Sequence, residues 1–225
     1  MRIRPLRAAG VTIVWLAMVL ISHAYAEPVE FVAKVTDQSG KPVGDAVVIA
    51  MPADGKVALP PRPREEIIDQ VDKEFAPRVK AIMVGTPVTF PNRDNVRHHV
   101  FSFSSAKRFE VPLYAGRPAQ PVVFDKAGIV VLGCNIHDWM VGYVYVAESP
   151  YFGKTDAKGT VVLTAPAGQP YVLRVWHPQL DGPEDATRRT VDGAGAARIE
   201  VAWTVALKPE IRVRRAPVAG HANHY

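Results

Sequence analysis

The sequence predicts an all-β protein made of two small sandwiches. Short runs of Val, Ile, Thr and aromatic residues recur along it, punctuated by turn residues at spacings typical of sandwiches. Helical periodicity is scarce. Two turn segments of similar flavour, Gln38-Ser39-Gly40-Lys41-Pro42 and Thr155-Asp156-Ala157-Lys158-Gly159, bracket a long middle stretch. That order suggests one domain inserted within another.

The pattern predicts strands at 30–36, 46–51, 87–91, 99–103, 122–124, 128–132, 142–147, 160–164, 171–176 and 198–205. The only plausible helix is a short one near 65–75, where a loop with one turn would serve as well. The 38–42 segment reads as the turn of a hairpin joining the first two strands. Leu59-Pro60-Pro61-Arg62-Pro63-Arg64 reads as a stiff extended linker. Asp37, Asp45 and Asp156 read as turn residues, and His177 in Val175-Trp176-His177-Pro178 as a turn histidine at a strand end.

Residues 1–26 read as a targeting segment. Arg2, Arg4 and Arg7 precede an apolar stretch at 11–21, and Ala24-Tyr25-Ala26 fits the small-x-small cleavage rule. The apolar run is short for a membrane span, so cleavage before Glu27 and export to the periplasm are expected, with no later span. The segment carries three of the 27 basic residues and none of the 22 acids, which leaves a balance of +2. No basic face with interleaved aromatics marks a nucleic-acid binder. The one basic cluster, Arg212-Val213-Arg214-Arg215, falls in a stretch, 208–225, that reads as a flexible tail.

The chain has one cysteine, so no internal disulfide is possible despite an oxidising destination. It lies in Gly133-Cys134-Asn135-Ile136-His137-Asp138-Trp139-Met140, a C-x2-H-x2-M spacing. A thiolate and an imidazole bond copper strongly, and a thioether supplies a weak axial bond. A second imidazole is needed from a distant strand, and His98-His99 offers it. Alternation sets Phe101 and Phe103 on the face of His99, and Ser102 and Ser104 on that of His98. Adjacent strand residues point oppositely, so both histidines cannot ligate without a bulge.

Two resemblances follow from these residues. Phe31–Val48 resembles the opening strands of carboxypeptidase-regulatory-like, transthyretin-like sandwiches, and Thr155-Asp156-x-x-Gly159 with 167–175 resembles their continuation. Residues 67–149 resemble a small cupredoxin of the plastocyanin, pseudoazurin and amicyanin group. Val84-Gly85-Thr86-Pro87-Val88-Thr89-Phe90-x-Asn92 is similar to the strand before the upstream histidine. Gly128 running into Cys134, and Gly142-Tyr143-Val144-Tyr145-Val146, are similar to the strands flanking the ligand loop. The two-residue spacers around His137 resemble amicyanin. The whole chain resembles exported cupredoxin-containing proteins that carry the label methylamine utilization protein.

The resemblance implies a Greek-key sandwich, and one copper per chain held by His98, Cys134, His137 and Met140, with His99 as an alternative or a supporting residue. Phe101 and Phe103 would then pack against the second domain. It further implies domains at 67–149 and, discontinuously, at 27–58 and 150–207. The chain departs from the family in carrying Ile136 before His137 and Asp138 after it. Asp138 either steers a basic partner, holds His137 or is a solvated turn residue; Trp139 is either a docking surface or a buried anchor. The expected role is single-electron transfer with a redox protein docking near His137 and Trp139. The alternative is a copper chaperone, sensor or storage protein. No catalytic triad, phosphate loop or paired-carboxylate pattern stands out, so an enzyme is not expected.

Overall fold

The computed structural model describes residues 27–210, apart from 62 and 119. The targeting segment, the 212–215 cluster and most of the tail lie outside the described residues. Among the described residues are seventeen strands and one 3₁₀ turn, Glu184–Thr187. The all-β expectation holds.

The outer parts of the chain build one sandwich. In its first sheet β1 (Val29–Asp37) lies between β14 (Thr160–Ala165), antiparallel, and β17 (Arg198–Val205), parallel. Its second sheet has the order β13 (Phe152–Lys154), β2 (Val47–Pro52), β15 (Pro170–Trp176), β16 (Arg189–Asp192). Period-two alternation puts Val29, Phe31, Ala33 and Val35 of β1 on one face. They bury against Tyr171, Leu173 and Val175 of β15, and the Phe31 and Tyr171 rings meet edge-on at 5.2 Å.

The middle of the chain builds the second pair of sheets. A five-stranded sheet runs β6 (Val79–Met83), β12 (Val141–Ala147), β11 (Gly128–Gly133), β8 (His98–Ser104), β9 (Lys107–Tyr114). A three-stranded sheet, β10 (Val122–Phe124), β7 (Thr86–Thr89), β3 (Glu66–Ile67), supplies its partner. Phe90, Phe124, Val88, Val130, Leu132, Val144 and Val146 fill the core between them, and Cys134 and Met140 belong to the same cluster.

A third apolar layer joins the two halves. β2 is buried on both faces: Val48 and Ala50 enter the first core, whereas Val47 and Ile49 pack with Val79, Tyr145, Ala147 and Trp176. That double burial explains why Val47-Val48-Ile49-Ala50 is uninterrupted apolar rather than alternating. β12 is two-sided in the same way, with Val144 and Val146 in the second core and Tyr145 and Ala147 in the joining layer. The Tyr145 hydroxyl donates to Glu184 Oε1 at 2.6 Å, and Arg174 pairs with Glu148. Burial holds the Glu184 carboxyl above its ordinary value, against the pull of Tyr145 and Arg174.

Two expectations are corrected. No helix forms at 65–75. That stretch is β3 followed by a hairpin of β4 (Asp69–Val71) and β5 (Glu74–Ala76), in which Ile68, Gln70 and Phe75 are buried. Pairing of β3 with β7 satisfies backbone groups that a helix would satisfy internally. Nor do β1 and β2 form a hairpin: they lie in different sheets, and the 38–42 turn carries the chain from one to the other. The turn chemistry itself is as expected, since Asp37 Oδ1 accepts from the Ser39 and Lys41 amides and Asp156 Oδ1 from those of Lys158 and Thr160.

Gly159 closes the second of these turns at φ +72°, where a Cβ would sit 2.4 Å from the Val35 carbonyl oxygen. Gly159→Ala is expected to cost about 1–3 kcal/mol from backbone strain alone, and more from the contact with β1. Denaturant unfolding of the variant checks this.

Candidate metal centre

The ligand loop is set by strand register. Val130 and Leu132 of β11 point into the second core, and Cys134 continues that alternation, 5% exposed. β11 and β12 pair down to Gly133 with Val141, so seven residues must turn within the width of one strand pair. The Met140 amide donates to the His137 carbonyl at 2.9 Å, and that of Val141 to the Trp139 carbonyl at 3.0 Å. This tight return buries Met140 and leaves His137 part-exposed near the surface.

His98 enters from β8. It is fully buried, on the face of Val100 and Ser102. His98 pairs with Tyr114 but Val100 with Val111, so β9 carries an extra residue here, a bulge beside Pro112 and Leu113. Even so, the two histidines point oppositely. His99 lies on the outer face against the Phe101 ring at 5.5 Å, its Nε2 3.1 Å from Glu110 Oε1 but outside hydrogen-bond geometry. Phe101 and Phe103 do not pack against the other sandwich as the sequence suggested. Phe103 is 75% exposed, and a Cβ on Gly133 would lie 2.8 Å from the Phe101 ring. The joining layer covers only the β6, β12 and β11 side of that sheet face.

Three predicted residues therefore converge. His98 Nδ1 is 3.9 Å from Cys134 Sγ, and His137 Nδ1 is 3.7 Å from it. The two rings are 4.9 Å apart, and the three donor atoms all lie within 4.8 Å of one another. Metal–imidazole and metal–thiolate bonds of about 2.05 and 2.3 Å, opened to about 120°, separate their donor atoms by about 3.8 Å. The donor set thus fits a single transition-metal ion held by two nitrogens and one sulfur. Met140 is 1% exposed in the core cluster that includes Cys134.

Hydrogen bonds frame His98. Asp94 Oδ2 lies 2.7 Å from His98 Nε2, while Asp94 also accepts the amides of Asp72 at 2.8 Å and Lys73 at 2.9 Å. Burial pushes the Asp94 carboxyl up, but the bonds from His98, Lys73 and Asp72 together outweigh it and leave it below its ordinary value. Asn92 Nδ2 donates to the Val96 and Tyr114 carbonyls, ordering the loop into β8. The Tyr114 hydroxyl donates to the Phe90 carbonyl and accepts from Gln70 Nε2; burial pushes it up to about 12. At His137, burial first, then the neighbouring His98 and Lys73, hold the imidazole below its usual value.

Of the remaining residues, Trp139 is part-buried with its ring 5.3 Å from that of His137. Asp138 is exposed, and among the described residues no hydrogen bond ties it to His137. His177 accepts the Gln179 amide at Nδ1, as a turn residue does. Asp94 was missed as a framing residue, although its place four residues before His98 was a readable signal. Gln70 and Tyr114 carried none, because only the meeting of β4 with β9 brings them together.

No family model and no curated protein matches this sequence. Among solved structures, the chain is similar to a purple cupredoxin from Nitrosopumilus maritimus, 28% identical over 36% of this chain and 99% of that one, with a TM-score of 0.33. It is similar to a Cu(I) form of an amicyanin mutant, 21% identical over 44% of this chain and 98% of that one, TM-score 0.34. A Cu-containing nitrite reductase from Thermus scotoductus SA-01 is 28% identical over 52% of this chain and 28% of its own, TM-score 0.35.

Proposed function

We propose that this chain is an exported copper protein that carries single electrons. The observation that carries the reading is the approach of two imidazole Nδ1 atoms, at 3.7 and 3.9 Å, to the only thiol in the sequence. A bound copper ion would supply a one-electron Cu(I)/Cu(II) couple. Cys134 and His98 would hold it from inside the sandwich, and Met140, buried in the same core cluster, would supply a weaker thioether. Ligands fixed by strand register and a tight loop change little between oxidation states, which keeps the reorganisation barrier low.

His137 is the surface imidazole through which electrons enter and leave. Ile136, 48% exposed, and part-buried Trp139 flank it and give a redox protein an apolar patch to dock on. Residues 67–149 form the copper domain, and 27–58 with 150–207 form a transthyretin-like domain that orients it. Among the described residues no helix is long and apolar enough to cross a membrane. The second reading, copper handling without a redox circuit, is less favoured because delivery sites use exposed Met- or His-rich clusters and this cluster is largely buried.

Visible absorption and EPR of purified protein loaded with Cu(II) test the proposal. An intense thiolate-to-copper band with narrow copper hyperfine splitting supports it. A weak, ordinary Cu(II) spectrum moves the copper-handling reading ahead.

A further inference from the structure

We infer that Asp94 and the β4–β5 turn form one positioning unit for His98, and that this unit lowers the reduction potential of the centre. The inference rests on the copper reading above.

His98 is fully buried, so no solvent can replace its Nε2 partner. With Nε2–H donated to Asp94, the lone pair at Nδ1 faces Cys134 Sγ. The carboxylate thus selects the tautomer, fixes the ring plane and makes the imidazole a better donor.

The carboxylate is itself gripped from the other side. Asp72 and Lys73, at φ 54° and 61°, are the central residues of the two-residue β4–β5 turn, and their successive amides both point at Asp94. Such a pair of amides is an anion-binding concavity. A turn of this shape ordinarily takes Asn-Gly or Asp-Gly, because both positions need positive φ. Here a lysine bears that strain, and its amide is spent on Asp94. The hairpin is anchored at both ends of the centre. Phe75 is buried against Gly142, just past the ligand loop, and Gln70 bonds Tyr114, the strand partner of His98.

An anion bonded to a ligand imidazole and held in place favours Cu(II) over Cu(I). Asp94→Asn removes the charge at constant size. The expected result is a preserved visible band and a preference for Cu(II) weakened about tenfold, an upward shift of about 59 mV for a one-electron couple. In metal-free protein, amide exchange at residues 72 and 73 should quicken at least tenfold while exchange in β11 and β12 stays unchanged.

Redox titration and NMR read these two effects. An unchanged potential with the band intact overturns the inference, as does unchanged exchange at 72 and 73. If Asp94→Asn does not fold, Asp94→Ser removes the same charge with a shorter polar group and is read identically. A wild-type protein without the intense band instead overturns the copper reading, so the two failures are distinguishable.

Discussion

Changing Cys134 to Ser is expected to abolish the intense visible band of Cu(II)-loaded protein while the fold persists. Both candidate imidazoles are aimed at Sγ, and no other sulfur of comparable donor strength exists in the chain. A serine hydroxyl stays protonated at neutral pH, so the covalent thiolate bond that gives rise to the band is lost. Affinity should fall by more than the roughly 10- to 100-fold that changes around the ligands already cost. Cys134 is buried, and a hydroxyl there without a partner costs about 1–3 kcal/mol. That leaves a marginal but folded protein, and far-UV circular dichroism should be unchanged. Persistence of the band in Cys134→Ser would sink the assignment.

Phe31→Ala should destabilise the protein by about 3–5 kcal/mol, the usual cost of emptying a buried phenylalanine site. Phe31 is fully buried and edge-on to Tyr171. The loss is a large part of the roughly 5–15 kcal/mol that holds a domain together. No residue of that first core belongs to the cluster around Cys134. The copper spectrum of the folded variant should therefore match wild type, even as the denaturation midpoint drops. A changed spectrum below the transition would show that the centre leans on the outer sandwich.

The strands of both cores were legible because alternation reports burial on one face. Phe31, Ala33 and Val35 announce β1, and Val130 and Leu132 announce β11. The 65–75 stretch misled because its pattern is locally ambiguous, and pairing with residues some twenty positions away decided it. β1 misled for a similar reason. Its partners are Thr160–Ala165 and Arg198–Val205, over a hundred residues downstream, so the nearby turn could not reveal its sheet. β9 escaped notice because its alternation is short: Phe109 and Val111 face the second core, but the bulge at Pro112 and Leu113 breaks the period before Tyr114.

By itself the sequence determined the donor chemistry. One cysteine, with a histidine three residues on and a methionine three beyond that, confines a thiol, an imidazole and a thioether to one short loop. Local spacing is enough for that, since a turn of so few residues cannot separate them widely. Which upstream histidine completes the cluster was a matter for tertiary structure. Facing is set by which side of β8 turns to the core once it pairs with β9 and β11; the bulge lies in β9, so the alternation of β8 runs unbroken from His98. The same holds for Asp94 and the Asp72–Lys73 turn. Hydrogen bonds between segments twenty residues apart depend on chain closure, which periodicity and composition do not encode.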